Sequence, residues 1–514
     1  MFDISYNAVT LLVITAVVFI FIKHEESRRK ANDFVSYIIH CYLIRRYPIK
    51  ARSDGQPIPT CPYRWPNGQG DVGKFLEGEK NSENWGREYG RAYRIWSGMT
   101  PEVVVRDAKD VEAIFKDSDK HNKAFNNNAG WLMGELLGKC LGLINGIEYH
   151  KLRDTSKHLF THKSASTYLA RIEEITEHHF NVLSTKGGLQ SGTIDPVADL
   201  RLLPFWIVAD IIYGDGLSAE LKSELESLTT LRESLWTRMI QGGATRYSWS
   251  QYLPTKTTRD LKEFKRRWAK FNEEAYEGCK SAKGQAAIVQ MYEGIESGSV
   301  EREQVLHTID EMLFANLDVT MGGISWNLLF LAARQDVQEQ IRQEIRQTRD
   351  SPTTERTWDN YIQSSSTLLA ASILESSRLK PLAAFTIPQS APTDRVVGGF
   401  LVPAGTNFIV DTYALNISNP YWGPDGAAYR PSRFLNRKPA EMRYQFWRFG
   451  FGPRQCLGKY VVDLIIRVLI AHLVENYRLD LDDSTNWEKD PATWILHPNT
   501  KLRCEKITDS AADS

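Results

Sequence analysis

The sequence lacks closely spaced cysteines. It contains no CxxC pair, and no group of cysteine and histidine has the spacing of a zinc site. Six cysteines are scattered along the chain: Cys41, Cys61, Cys140, Cys279, Cys456 and Cys504. We therefore expect reduced, buried cysteines rather than a disulfide framework or a zinc module, with Cys456 set apart by its neighbours.

An excess of charge is also missing. Lysine plus arginine number 63, and aspartate plus glutamate number 63, so the formal net charge is zero. This balance gives no indication of a nucleic-acid partner. No period of roughly 20 to 50 residues recurs, which excludes solenoids and propellers.

The overall composition is that of a globular protein. Of the 514 residues, 42% are hydrophobic and 25% are charged, which excludes a disordered chain and a multi-span membrane protein. A prior of about 150 residues per domain would give roughly three domains.

One apolar run stands near the N-terminus. Residues 8–22, AVTLLVITAVVFIFI, carry no charge, and positive residues follow at Lys23 and 28–30. The run is shorter than the ~20 residues that cross a bilayer, although a snorkelling Lys23 extends it. Charges after the run, and no small-residue cleavage site, favour an uncleaved anchor with the protein body in the cytosol. The alternative is a buried helix of a soluble protein.

The remaining patterns divide the chain into an anchor with its basic flank (1–30), a membrane-proximal segment (31–84) and a catalytic body (85–514). Within the second part, residues 34–44 are predicted to lie along the membrane surface, and the proline-rich residues 48–70 to form a stiff, structureless linker.

The body reads as mostly helical with a smaller β region. Residues 93–107 predict a β-hairpin, and helical periodicity dominates from about 108 to 380, including long stretches at 217–241, 259–281 and 301–349. Strand and turn patterns follow at 396–410, and a last helix is predicted from about 457 to 476.

The segment with the clearest chemistry is FGFGPRQCLG, residues 449–458. Its cysteine stands at the start of a helix, where free N–H groups, the helix dipole and Arg454 are expected to lower the thiol pKa. Such a thiolate serves as a nucleophile or as a soft metal ligand. A tight turn with a buried cysteine is the alternative.

This segment resembles the haem-binding signature of the cytochrome P450 family at Phe449, Gly452, Arg454, Cys456 and Gly458. The resemblance implies that Cys456 is the thiolate axial ligand of haem b, that Arg454 pairs with a propionate and that Phe449 packs near the sulfur. Thiolate ligation favours O–O cleavage. The resemblance also implies the P450 fold, with an N-terminal transmembrane helix.

Two further elements follow the family's order. Glu375 and Arg378 match its Glu-x-x-Arg pair, three residues apart on one helical face. Arg433, in PSRF, resembles the arginine that completes this charge network. The resemblance assigns these three residues to the scaffold on the cysteine side, with no direct part in chemistry.

Propionate contacts are implied elsewhere. The family's Trp-x-x-x-Arg element appears with Tyr149 and Arg153, where the tyrosine hydroxyl still donates a hydrogen bond. Gln389 stands where many members carry another propionate-binding arginine, so that contact is either neutral or supplied elsewhere.

A departure lies in the long helix, where members usually carry an acid and a threonine that relay protons. Here Asp318 keeps the acid, Asn316 replaces a glycine and Val319 replaces the first threonine. Valine donates no proton, so either Thr320, Asn316 or water substitutes, or the chemistry needs less assistance.

The resemblance thus implies a membrane-anchored haem-thiolate monooxygenase. It would use dioxygen and electrons from NADPH, delivered by a flavoprotein reductase, to hydroxylate, epoxidise or cyclise a small molecule. Similar enzymes are monomers of the fungal endoplasmic reticulum that act in secondary metabolism, with gliotoxin-type diketopiperazine pathways as one expectation. The alternatives are a haem-thiolate rearrangement or ring-forming enzyme, and a non-catalytic haem sensor.

Substrate-facing segments are also placed by resemblance. They contain few charges and several aromatic residues, namely Trp131, Trp236, Phe385 and Trp494. An apolar or aromatic substrate is therefore expected, although the same residues could be ordinary core aromatics.

Overall fold

The computed structural model describes residues 25–281, 286–351, 357–435, 437–483 and 485–507. The predicted anchor at residues 8–22 lies outside these ranges. Among the helices within them, none is both long enough and apolar enough to cross a membrane.

Helices make up most of the described chain, as the sequence predicted. In chain order they are α1 (Glu25–Arg46), α2 (Gly78–Tyr89), α3 (Ala108–Phe115), α4 (Trp131–Leu137), α5 (Gly146–Asp154), α6 (His162–Thr167), α7 (Leu169–Lys186), α8 (Leu202–Tyr213), α9 (Ala219–Gln241), α10 (Lys256–Ser281), α11 (Ala287–Glu296), α12 (Arg302–Ala333), α13 (Gln335–Arg349), α14 (Trp358–Gln363), α15 (Leu368–Leu379), α16 (Ser432–Leu435) and α17 (Lys459–Asn476).

The strands are short. They are β1 (Lys50–Ala51), β2 (Ala92–Ser97), β3 (Thr100–Val105), β4 (Asn122–Lys123), β5 (Thr193–Ile194), β6 (Gln389–Ser390), β7 (Arg395–Val397), β8 (Phe400–Val402), β9 (Asn407–Val410), β10 (Tyr477–Leu481) and β11 (Leu502–Lys506). They form three sheets, in the orders β2-β3-β9-β6-β4, β1-β8-β7 and β10-β11-β5.

The predicted hairpin is confirmed as β2 and β3. The two strands pair antiparallel from Ala92–Val105 to Ser97–Thr100, and Gly98 takes the positive φ of 56° that the tight turn requires. Strand β9 then pairs parallel with β3, and β6 and β4 continue the sheet with antiparallel pairing.

The long helix α12 forms the centre of the helical part. It begins at a capping box in which Glu301 and Gln304 satisfy each other's free backbone N–H groups. Most of its residues are buried, because it packs against α8, α15, α17 and β10. The predicted helix 301–349 is in fact two helices, since the backbone leaves helical geometry at Arg334.

The proline-rich segment is not the structureless linker that the sequence predicted. Ile58, Cys61 and Tyr63 are each buried to within 3% exposure, and β1 pairs with β8. The apolar residues between the prolines bury against the sheet, so proline here stiffens a packed segment.

Helix α1 packs on the body through only one side. Leu43 is buried in a cluster with Tyr63 and Trp96, while Phe34, Tyr37, Ile38 and Tyr42 are exposed.

Candidate active site

The loop of residues 449–456 is shaped by its glycines. Gly450 and Gly452 have φ values of 83° and 71°, which favour glycine, and a Cβ on Gly452 would lie 1.9 Å from Ser118 Oγ. The loop is closed by the backbone N–H of Cys456, which donates to Phe449 O at 2.8 Å. The backbone conformation therefore explains Gly450 and Gly452, whereas Gly458, with a φ of −80°, has no such cause.

Cys456 lies deep among protein atoms, yet its side chain has exposed surface. Open space therefore adjoins this residue. Burial raises the pKa of the Cys456 thiol, while the Gly458 N–H and the charges of Lys459 and Arg448 lower it less strongly. The predicted net lowering is thus wrong for the chain alone: desolvation outweighs the helix terminus, and a bound cation is what would favour the thiolate.

The structure brings Glu375, Arg378 and Arg433 together in a fully buried network. Glu375 accepts bonds from Arg378 Nε at 2.7 Å and Nη2 at 2.9 Å, and Arg433 Nε lies 3.2 Å from its Oε1. All three side chains are 0% exposed. Because a buried charge requires a partner, these residues fix α15 and α16 relative to each other.

A residue that sequence reasoning missed connects this network to the cysteine loop. Arg378 Nη1 donates to Asn416 O at 2.9 Å, and the Asn416 side chain exchanges two 2.8 Å bonds with the backbone of Trp447. Asn416 is completely buried. No motif marks it, because an asparagine in the short helical segment Ala414–Ser418 has no distinctive pattern until its partner is known.

Two predicted propionate residues converge beside the same loop. Arg454 donates to Ile144 O at 2.9 Å and to Asn145 Oδ1 at 3.3 Å, and Arg153 Nη1 donates to Pro453 O at 2.6 Å. The Tyr149 ring lies under Arg454, 3.8 Å from its guanidinium carbon. The Tyr149 hydroxyl accepts a hydrogen bond from Arg153, and the face of its ring contacts the Arg454 guanidinium. One tyrosine therefore orients both arginines.

The middle of α12 has two different faces. Ala315 is exposed and Val319 half-buried, although the helix around them is buried. Asn316 and Thr320 are 9% and 2% exposed, and Asn316 donates to Pro204 O of α8 at 3.0 Å while accepting from Thr320. The structure therefore does not bring Asn316 and Thr320 to the face that Ala315 and Val319 share.

The Asp318 carboxylate is held by other side chains. Arg201 Nε donates to its Oδ1 at 2.9 Å, and Trp494 Nε1 donates to its Oδ2 at 2.9 Å. Arg201 also bonds Glu233 of α9. Asp318 thus links α12 to α8, α9 and the C-terminal segment, a role for Arg201 that no sequence pattern indicated.

The aromatic candidates for substrate contact separate into two groups. Trp236 and Trp494 are half-buried and meet edge to face at 5.2 Å, next to Asp318. Phe385 is 0% exposed and packs on Trp85 at 5.6 Å, so it belongs to the core of the sheet. Trp131 donates to Glu135 on its own helix.

The residues present fit a haem. Cys456 offers a soft sulfur ligand towards a cavity, and the hydrogen bonds that Arg153 and Arg454 donate all go to neutral oxygens. Neither guanidinium forms an ion pair of 4.0 Å or less with a carboxylate of the described residues, so both are suited to the carboxylates of a bound porphyrin.

Comparison with known proteins agrees with this geometry. The family model described as cytochrome P450 matches residues 71–504. The chain is similar to the cytochrome P450 monooxygenase aclC of Aspergillus oryzae, with 53% identity covering 90% of this chain and 95% of that protein. It is also 46% identical to monooxygenase asaD of Aspergillus flavus, covering 93% and 92%, and 35% identical to monooxygenase gliC of Aspergillus fumigatus, covering 92% and 94%.

Proposed function

The chain belongs to the cytochrome P450 family and is a monooxygenase, and from this premise we propose that it oxidises a largely apolar or aromatic small molecule in fungal secondary metabolism. Haem with a thiolate ligand supplies the activation of dioxygen. The observation that carries the proposal is Cys456, which keeps exposed surface although it is deeply surrounded by protein, and which has the cations Arg153 and Arg454 beside its loop.

The reaction is tested with isotopic oxygen. The full chain, supplied with NADPH, a fungal flavoprotein reductase and ¹⁸O₂, should form a product that carries one ¹⁸O atom or has lost two hydrogens. A rearrangement enzyme would instead give an isomer of the substrate, without ¹⁸O and without any need for NADPH or dioxygen, and that result would overturn the proposal.

We extend the proposal to substrates of the gliotoxin-type diketopiperazine class. The aromatic pair Trp236 and Trp494 supports an aromatic substrate, because flat rings pack well against indole faces. The test is the change in haem spin state when candidates are added. Aromatic diketopiperazines should shift it at micromolar concentration, and a response only to unbranched fatty acids of similar size would contradict the proposal.

We propose that electrons arrive through a cavity beside the cysteine loop. This cavity has a volume of about 670 Å³ and is lined by residues 449–453 and by basic side chains. Lys116, Arg443 and Lys459 contribute positive charge, against the single acid Asp119 in this lining. Such a surface is complementary to an acidic electron donor, as expected of a flavoprotein NADPH reductase.

Charge reversal tests this docking surface. Lys116→Glu and Arg443→Glu should each raise the KM for the reductase several-fold at low salt, and the difference should shrink as ionic strength increases. Reduction by dithionite should not change. The matched control is Lys222→Glu on α9, which is exposed and outside this lining. Equal KM values for all three variants and the wild type would contradict the assignment.

We also propose a membrane location at the endoplasmic reticulum, with the catalytic body as a cytosolic monomer. Exposed apolar residues on α1 adjoin an aromatic surface patch made of Trp65, Tyr247, Trp249 and Tyr252. Trp65 lies 6.0 Å from Tyr247, which stacks on Trp249 at 6.0 Å, and Asn32 of α1 donates to Trp65 O at 3.4 Å. Exposed aromatics of this kind are typical of membrane interfaces.

Lipid contact is measured by fluorescence. Vesicles with brominated acyl chains should quench part of the tryptophan emission of the full chain, and Trp249→Phe should reduce that quenched part. Trp131→Phe, outside the patch, is the control. Quenching that Trp249→Phe leaves unchanged would show that the patch does not face lipid.

A further inference from the structure

A buried lysine lies beside the predicted propionate site and is used by no part of the function described so far. Lys123 ends the short strand β4, directly opposite Gln389 of β6. Its ammonium donates to Gln389 Oε1 at 3.1 Å, which is a neutral acceptor. Lys123 is deeply surrounded by protein but keeps some exposed surface. As at Cys456, open space therefore adjoins the residue.

The backbone around Lys123 joins it to Arg454. Asn145 Oδ1 accepts from Lys123 N at 2.8 Å and from Arg454 Nη1 at 3.3 Å, while Asn145 Nδ2 donates to Lys123 O at 3.0 Å. One side chain therefore positions both cations. Burial lowers the pKa of Lys123 to about 8, and repulsion from Arg454 contributes to that lowering.

Arg454 repels Lys123, and burial desolvates both cations, so a nearby anion would stabilise them. Within the described part of the chain, no carboxylate forms an ion pair of 4.0 Å or less with Lys123. Glu311 acts on it from farther away, and Glu311 Oε2 already accepts from Gly142 N at 3.0 Å. A lysine with one neutral partner keeps two N–H groups free for a carboxylate.

We propose that Lys123 is a third cationic contact to the haem propionates, and that Gln389 and Asn145 position it. The cation then comes from Lys123 of β4, since position 389 of β6 carries a neutral glutamine. Gln389 accepts one hydrogen bond from the lysine ammonium, and the other N–H groups of Lys123 remain for the porphyrin carboxylates. This inference rests on haem binding by the family site and not on the proposed substrate, pathway or membrane location.

The test is Lys123→Met, which removes the charge and keeps the length of the side chain. Haem release to an excess of apomyoglobin should become about ten- to hundredfold faster, as expected for the loss of a charge-assisted hydrogen bond. The reduction potential should become more negative, because a positive charge near the iron is lost. Lys120→Met, an exposed lysine three residues away, should change neither quantity.

Two double variants separate this role from simpler ones. Gln389→Arg in the Lys123→Met background returns a cation to the same place from β6, so slow haem release should be restored. If Lys123 only neutralised Glu311, then Glu311→Gln would cancel the effect of Lys123→Met; if it binds a propionate, fast release should persist.

The proposal would be overturned if Lys123→Met left both the rate of haem release and the reduction potential unchanged. This comparison requires that the reduced carbon monoxide complex of the variant keeps the red-shifted Soret band. Should Lys123→Met fail to fold, Lys123→Gln provides the same comparison with a polar side chain. A missing Soret band in the wild type would instead contradict the haem site itself, and is thus distinguishable.

Discussion

Replacing Glu375 by glutamine tests whether the buried charge network holds the cysteine loop in place. Glu375→Gln keeps the shape of the side chain but leaves Arg378 without a counter-charge at 0% exposure, and leaves Arg433 with only Asp425, whose side chain is 38% exposed. Removing one partner of a buried ion pair typically costs about 3–5 kcal/mol. The free energy of unfolding of a protein is roughly 5–15 kcal/mol, so a large part of it should be lost.

The assay is urea unfolding, followed by tryptophan fluorescence and by the Soret band of the reduced carbon monoxide complex. Because Arg378 reaches Trp447 through Asn416, the Soret band should be lost at lower urea than the fluorescence signal. The control is Glu83→Gln, whose pair with Arg87 has side chains 73% and 71% exposed and should not affect stability measurably.

The reasoning would be refuted by two results together. The free energy of unfolding of Glu375→Gln would lie within about 1 kcal/mol of the wild type, which is less than the cost of breaking a buried pair, and the fluorescence and Soret signals would be lost at the same urea concentration. That outcome would mean that the two arginines find other partners, and that the loop is held by packing alone.

Three further predictions concern single residues. Cys456→Ser should abolish the red-shifted Soret band while haem remains bound; a retained band would show that another residue ligates the iron. Val319→Thr places a hydroxyl on the helix face that residue 319 shares with Ala315. It should raise the fraction of NADPH electrons recovered in product, and an unchanged fraction would count against a proton relay at this position. Burial lowers the pKa of His307 to about 4, and its Nδ1 accepts from Lys139 N at 3.1 Å, so the folded state holds it neutral. Since the unfolded state binds the proton more readily, stability should fall as pH drops below about 6.5, by about 2 kcal/mol at pH 5, and His307→Gln should remove that component of the urea-unfolding profile.

Local patterns predicted the elements of the fold well. The hairpin of β2 and β3, the long helical stretches and the final helix follow from apolar spacing and from glycine at the turn, which are properties of neighbouring residues. The error at residues 48–70 has a clear reason. Proline and glycine indicate where regular structure stops, but they do not show whether the apolar residues among them find a surface to bury.

The sequence by itself indicated the family and its monooxygenase class, because the proposed ligand Cys456, the signature glycines and Arg454 stand within the ten residues 449–458. Only the tertiary structure decided what surrounds them. Asn416, Arg201 and Lys123 act through partners far away in the chain, and the pKa of Cys456 is set by burial more than by its helix. Hydrogen bonds and desolvation depend on distances in space, which residue spacing along a chain does not contain.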